Sequence, residues 1–184
     1  MRSYTQIPNF KNPYTLRNKL KRFVFNFIWA LFVRPFPGKI ATKWSIFILN
    51  SFGANVHPTS IIYSSANILM PWNLIMHENS CIANNVIVEN SDKVVIGAFS
   101  IISQYSYLCT ASHDIRDINF PQFTKPIIVG KNCWICANCF IGPGVKLGDG
   151  SIAGASSSVF RNVSEWQIVG GNPARYLGQR ILKH

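Results

Sequence analysis

The chain of 184 residues is long enough for one domain with a hydrophobic core and too short for two full ones. Its composition is 48% apolar and only 14% charged, which excludes a disordered chain. The net charge of +11 raises a nucleic-acid reading. However, half of the basic groups lie in the first 43 residues, among Phe23, Phe25, Phe27, Ile28, Trp29, Leu31, Phe32 and Val33, with no acid before Glu78. Apolar residues at that density suit a hydrophobic surface better than a phosphate backbone, and no nucleic-acid recognition module is present.

Residues 1–14 carry Pro8 and Pro13 and read as an irregular arm. A helix is predicted over 15–34, with Thr15 or Asn18 as cap and Pro35 and Pro37 as its stop. A second, shorter helix runs from Lys39 or Thr42 to Leu49, bounded by Gly38 and Gly53. Two compatible readings follow for this pair. The helices cap the open end of the next element, or residues 15–50 make a peripheral contact with a membrane surface. The stretch 23–33 is too short to span a bilayer. An odd cysteine count without a signal-peptide pattern predicts a reduced, cytoplasmic protein.

From Val56 the pattern changes. Apolar residues recur every six positions at Val56, Ile62, Ile68 and Leu74, falter at Ser80, and resume at Ile82 and Val88. They restart at Ile96, Ile102 and Leu108, then run through Val129, Ile135, Ile141, Leu147, Ala153 and Val159. A period of six matches neither a helix nor a simple alternating strand. It fits a parallel β-solenoid in which three hexads close one triangular coil of about 18 residues and like side chains stack between coils. The slip around 91–93 reads as an outward bulge, and the gap between Cys109 and Ile128 as an excursion loop. The predicted organisation is an N-terminal arm with helices (1–52), a solenoid (53–165) with its loop at 109–128, and a C-terminal tail (166–184).

Cys133, Cys136 and Cys139 have spacing that elsewhere suggests a metal site. Within hexads, Cys133 and Cys139 occupy equivalent corners of successive walls, which turn by about 120° in a triangular coil, so their sulfurs diverge. No metal is expected. The spacing of His57 and His77 is out of step with a coil of three hexads.

The ordered set Ile102-Ser103-Gln104, Tyr107-Leu108-Cys109-Thr110, Ser112-His113-Asp114, Pro126-Ile127, the hexads of 129–155 and Val169-Gly170-Gly171-Asn172-Pro173-Ala174-Arg175 resembles the hexapeptide-repeat acyltransferases. The resemblance is closest to the colanic-acid and exopolysaccharide O-acetyltransferases and to the nodulation and galactoside branch. It implies an all-β fold, a left-handed parallel β-helix with N-terminal helices and an excursion loop. It also implies acetyl-CoA as co-substrate, a sugar hydroxyl as acceptor, surface-glycan biosynthesis as the setting, and a homotrimer with its active sites between adjacent subunits.

His113 lies in the one long interruption, where a solenoid insertion projects outward, and a histidine there can take the proton of an attacking hydroxyl. The resemblance makes His113 the general base. Asp114 is a candidate to orient the imidazole or order the loop, and a backbone carbonyl could do the orienting equally well. Asn84, Asn85 and Arg116 are candidate acceptor contacts, although Ala83 falls nearest the asparagine of the galactoside relatives. Trp134 is expected at the coenzyme or subunit cleft. Ala137, Gly142, Ala155 and Ser156 leave room for a pantetheine arm, while Arg161, Asn172, Pro173 and Arg175 belong to its nucleotide end. An amine acceptor keeps the same base, and a non-catalytic β-helix scaffold is the remaining alternative.

Overall fold

The computed structural model describes residues 14–36 and 39–182. The expected arm over 1–14 lies, apart from Tyr14, outside the described residues, as do Pro37 and Gly38.

From Asn55 the chain winds into a left-handed solenoid of three parallel walls. The first wall stacks Asn55–Val56, Leu74–Met76, Val94–Ile96, Ile127–Val129 and Lys146–Leu147. The second stacks Ile61–Ile62, Cys81–Ile82, Ile101–Ile102, Trp134–Ile135, Ile152–Ala153 and Gln167–Gly170. The third stacks Asn67–Ile68, Ile87–Glu89, Tyr107–Cys109, Phe140–Ile141 and Ser158–Val159. In each two-residue strand one side chain faces out and the next faces in. The inward residues, from Val56, Ile62 and Ile68 to Leu147, Ala153 and Val159, are at most 2% exposed. Each buried branched side chain contributes roughly 1.5–3 kcal/mol, and their stack is the core.

The corners explain the small residues. Between the first and second walls Ser60, Ser80, Ser100, Cys133 and Ser151 stack as a buried ladder, and Ser60 and Ser100 donate to the carbonyls of His77 and Gly130 at 2.9 and 2.6 Å. Just before each of the later rungs the backbone enters the left-handed region, at Asn79, Phe99, Asn132 and Gly150. Gly150 has a second reason to be glycine: a Cβ there would lie 2.6 Å from the Trp166 ring.

Coil length departs from the expectation. Val56 pairs with Met76 and Met76 with Ile96, so each of the first two coils is longer than three plain hexads. The first-wall strands that close these two coils are three residues long with two buried side chains, Leu74 and Met76 in one coil and Val94 and Ile96 in the next. The surplus falls at the third-to-first corner, over Pro71–Asn73 in one coil and at 91–93 in the next. The Asn90 side-chain amide secures this bend by pairing with both backbone groups of Met70, at 2.8 and 2.7 Å. Ser80 is a corner residue, which is why the hexads falter there. His57 and His77 prove to be equivalent positions of consecutive coils, donating their backbone N–H to Met76 and Ile96. The register returns to three plain hexads per coil later, as Val129 pairs with Leu147.

Both ends are covered. Helix α1 (Leu16–Phe32) starts at Thr15, whose hydroxyl accepts the Asn18 N–H at 3.2 Å. Helix α2 (Lys39–Ser51) packs on the first strands of the first two walls. The Asn50 side chain pairs with the N–H and C=O of Val56 at 2.9 and 3.0 Å. At the far end Gln167–Gly170 extends the second wall beyond residue 165 and turns into Arg175–Gln179, which pairs with it antiparallel.

Candidate active site

The loop leaves the third wall after Cys109 as a β-hairpin, Ala111–His113 against Gln122–Thr124, with His113 opposite Gln122. Its tip is held by Asp114 and Asp117, whose carboxylates accept the backbone N–H groups of Arg116 and Asn119 at 3.0 and 2.8 Å. His113 is half-buried. Its Nδ1 lies 2.7 Å from the Phe120 carbonyl, and its ring stacks on that of Phe120 with centroids 4.6 Å apart and planes 8° from parallel. A carbonyl can only accept, so Nδ1 carries the proton and Nε2 is left as the basic nitrogen. Phe120 has φ of 47°. Phe120 thus packs on the imidazole, and Phe123 is partly exposed beside Lys125.

The Asp114 carboxylate faces the Arg116 guanidinium at 3.2 Å, so in this structure it orders the loop and the imidazole is oriented by a carbonyl. The Arg116 N–H and guanidinium hold Asp114 below the usual carboxylate range. Arg116 itself is exposed on the loop.

A polar cluster missed by the sequence reading supports the base of the hairpin. Glu89 pairs in register with Cys109 and accepts from its thiol at 3.4 Å. Ser91 bonds to the same carboxylate and to the Tyr14 hydroxyl, and Gln122 reaches that hydroxyl at 3.4 Å. Burial raises the Cys109 thiol, so it is not poised as a nucleophile. Burial likewise pushes the neighbouring Tyr107 hydroxyl up to about 12. Allowing for the longer early coils would have placed Glu89 beside Cys109 from the sequence alone.

The other candidates divide between edges of the prism. Asn84 and Asn85 sit at the second-to-third corner, where the Ser65 hydroxyl donates to the Asn84 side-chain Oδ1 at 3.0 Å and accepts the Asn85 backbone N–H at 3.1 Å. These are turn roles, on a different edge of the protomer from His113. Ala137, Ala155 and Ser156 line that same corner, and the Ser156 N–H bonds to the Ala137 carbonyl. Asn172, Pro173 and Arg175 close it, because Ser158 bonds to Gly171 and Ala174 to Ser158. Trp134 stands on the outer face of the second wall between Ile101 and Ile152, 46% exposed, with Nε1 donating to Ser103 at 2.9 Å. Gly142 and Arg161 lie toward the third-to-first corner, the edge that carries His113, and a Cβ on Gly142 would meet the Phe160 ring at 3.1 Å. Cys133 and Cys139 donate to separate corner carbonyls, of Gly148 and Gly154. Among the described residues no group of three or more histidine, cysteine or acidic side chains is placed to hold a metal.

A triangular parallel solenoid of hexad coils, capped by helices at one end and interrupted by one hairpin loop, is the architecture for which known proteins were compared. No protein-family model matches the chain. WcaF of Escherichia coli K12, provisionally assigned as a colanic acid biosynthesis acetyltransferase, is 36% identical over 143 residues, 78% of this chain and 79% of its own. A hexapeptide-repeat acetyltransferase of Vibrio cholerae, solved with acetyl coenzyme A, has a TM-score of 0.79 at 21% identity, covering 94% of this chain and 93% of its own. A maltose O-acetyltransferase of Clostridium difficile also scores 0.79, at 22% identity, over 91% and 90% of the two chains. The chain belongs to the hexapeptide-repeat, left-handed β-helix acetyltransferases, related to the colanic-acid and galactoside branch, and is an acyltransferase.

Proposed function

We propose that the protein transfers an acetyl group from acetyl-CoA to a saccharide hydroxyl in surface-glycan biosynthesis, with His113 as general base. The observation that carries this reading is the imidazole itself, fixed by the Phe120 carbonyl and ring so that Nε2 is the proton acceptor. Nε2 takes the hydroxyl proton as that oxygen attacks the thioester carbonyl. The resulting imidazolium then returns the proton to the departing thiolate, giving ester and free coenzyme thiol. No enzyme nucleophile is needed, in keeping with the raised Cys109 thiol.

The second-to-third corner suits the donor. In the later coils the side chains at Ala137, Ala155 and Ser156 reach no further than a hydroxymethyl, so an extended pantetheine arm can approach the backbone at those positions, with Arg175 available for phosphate oxygens. This corner and the His113 edge are separated by the whole third wall of one protomer. A homotrimer that sets one subunit's loop against its neighbour's corner would complete the site, with Trp134 at the junction. A saccharide acceptor is supported by the colanic acid and maltose roles carried in the relatives' names. Five unpaired thiols support a reducing, cytoplasmic setting.

The test incubates the protein and His113→Ala with labelled acetyl-CoA and a panel of sugars, nucleotide sugars, amino sugars and lipid-linked glycans. Transfer to a hydroxyl that is lost in the variant is expected. Transfer unchanged in His113→Ala, or an active monomer by sedimentation, would overturn the base and the shared site respectively.

A further inference from the structure

Helix α1 is apolar on two sides. Phe25, Trp29 and Val33 recur every four residues and are buried, with the Phe25 ring on Trp29 and Phe52 at 5.5 and 5.3 Å. Lys21 adds a second tie to the solenoid, lying 4.4 Å from the centre of the Trp72 ring. The opposite side carries Leu16, Leu20, Phe23, Phe27 and Leu31. At roughly 100° per residue these five share a stripe about 80° wide, and they are 51–82% exposed. The same rotation sets Arg17 beyond one edge of the stripe and Lys19 beyond the other, both exposed. On α2, Trp44 and Phe47 stack at 5.3 Å and are also exposed, next to Lys43.

We propose that this stripe seats α1 in the plane of a membrane surface rich in anionic phospholipid. A helix that already buries one apolar side against its own fold needs no second one for stability, and an exposed apolar stripe of this size marks an interaction surface. Charge selects the occupant. Arg17, Lys19, Arg34 and Lys43 are exposed, and no Asp or Glu occurs among them or anywhere before Glu78. Two copies meeting through this face would oppose like charges with nothing to neutralise them. Anionic headgroups supply the missing charge, while the acyl boundary takes the leucines and phenylalanines. No helix among the described residues is long and apolar enough to cross a membrane, so the contact lies on the surface. Because α2 packs on the first coil, docking holds that end of the prism nearest the lipid. The proposal does not depend on the identity of the acceptor.

The experiment is flotation of the full-length protein with vesicles of phosphatidylcholine alone or with about 30% phosphatidylglycerol, at low and high salt. Wild type is expected to float with the anionic vesicles and to be released by salt. Phe23→Ser/Phe27→Ser is expected to lower partitioning by about tenfold or more. Arg17→Glu/Lys19→Glu is expected to abolish the preference for anionic lipid while removing no large apolar group. Melting curves of both variants are compared with wild type; should the serine pair unfold, the charge pair decides. Equal binding to neutral vesicles, or flotation indifferent to both variants, would overturn the proposal. So would lipid-free self-association that Phe23→Ser/Phe27→Ser disrupts, because that result assigns the stripe to a second copy.

Discussion

Orientation of the base by a carbonyl leads to a paired expectation for His113 and Asp114. His113→Ala removes the proton acceptor and should lower kcat by about 10²–10⁴, or roughly 2.7–5.4 kcal/mol in the barrier. Asp114→Asn should do far less. The carboxylate bonds to the Arg116 N–H and guanidinium at 3.0 and 3.2 Å, and asparagine keeps an oxygen there. A loss of at most a few-fold is expected, against about 10⁴ where a buried carboxylate fixes the imidazole of a catalytic triad. Phe120→Ala falls between, since removing a ring stacked 4.6 Å from the imidazole forfeits about 0.5–1.5 kcal/mol, or roughly two- to twelvefold. The assay is steady-state release of coenzyme thiol, with ¹⁵N spectra of the imidazole to show the proton on Nδ1. Asp114→Asn as damaging as His113→Ala, or a proton on Nε2 in the free enzyme, would refute carbonyl orientation.

Other expectations concern the loop, the coil and the thiols. Because the folded state lowers Asp114, its ordering of the loop is complete above the ordinary value of 3.8 and is lost as pH falls through the depressed one. Hydrogen exchange at the Arg116 N–H should therefore stay protected at neutral and mildly acid pH and open only below that value. Gly150→Ala combines a left-handed backbone with a Cβ 2.6 Å from the Trp166 ring, and should cost about 2–4 kcal/mol in urea unfolding. Ile135→Ala empties a lumen position stacked between Ile102 and Ala153, with an expected loss of about 2–5 kcal/mol. Burial raises Cys81, Cys109, Cys136 and Cys139, so maleimide labelling of the native protein should be slow near neutrality and quicken only above their ordinary value of 9.0.

The inward ladder was legible because each wall admits one branched side chain per coil, and that demand writes itself into the sequence every six residues. The lengths of the early coils were not legible. Leu74 and Met76 are both apolar and both inward, so a hexad count can step through either, and only pairing with Val94 and Ile96 decides. His113 stood out because the loop interrupts the register. Its partner did not, since the bond is to the Phe120 backbone, and a carbonyl leaves no mark on residue identity. The polar cluster at the base of the hairpin was hidden too. Glu89 is one long coil from Cys109 and was hidden with the coil length, while Ser91, Tyr14 and Gln122 join it from a corner, from just ahead of α1 and from the hairpin, at distances that carry no period. The exposed stripe of α1 was visible as apolar residues, yet its separation from the buried side of the same helix needed the packing.

A parallel ladder carries no instruction to stop. Every strand offers the next coil the same row of donors and acceptors, and a bare end would offer them to another molecule just as readily. The Asn50 side chain answers both backbone groups of Val56 and thus occupies the berth of a preceding coil with a single amide. At the opposite end, the antiparallel return of Arg175–Gln179 changes the direction of the edge. Between them these two devices make the solenoid a particle of fixed length instead of a fibre.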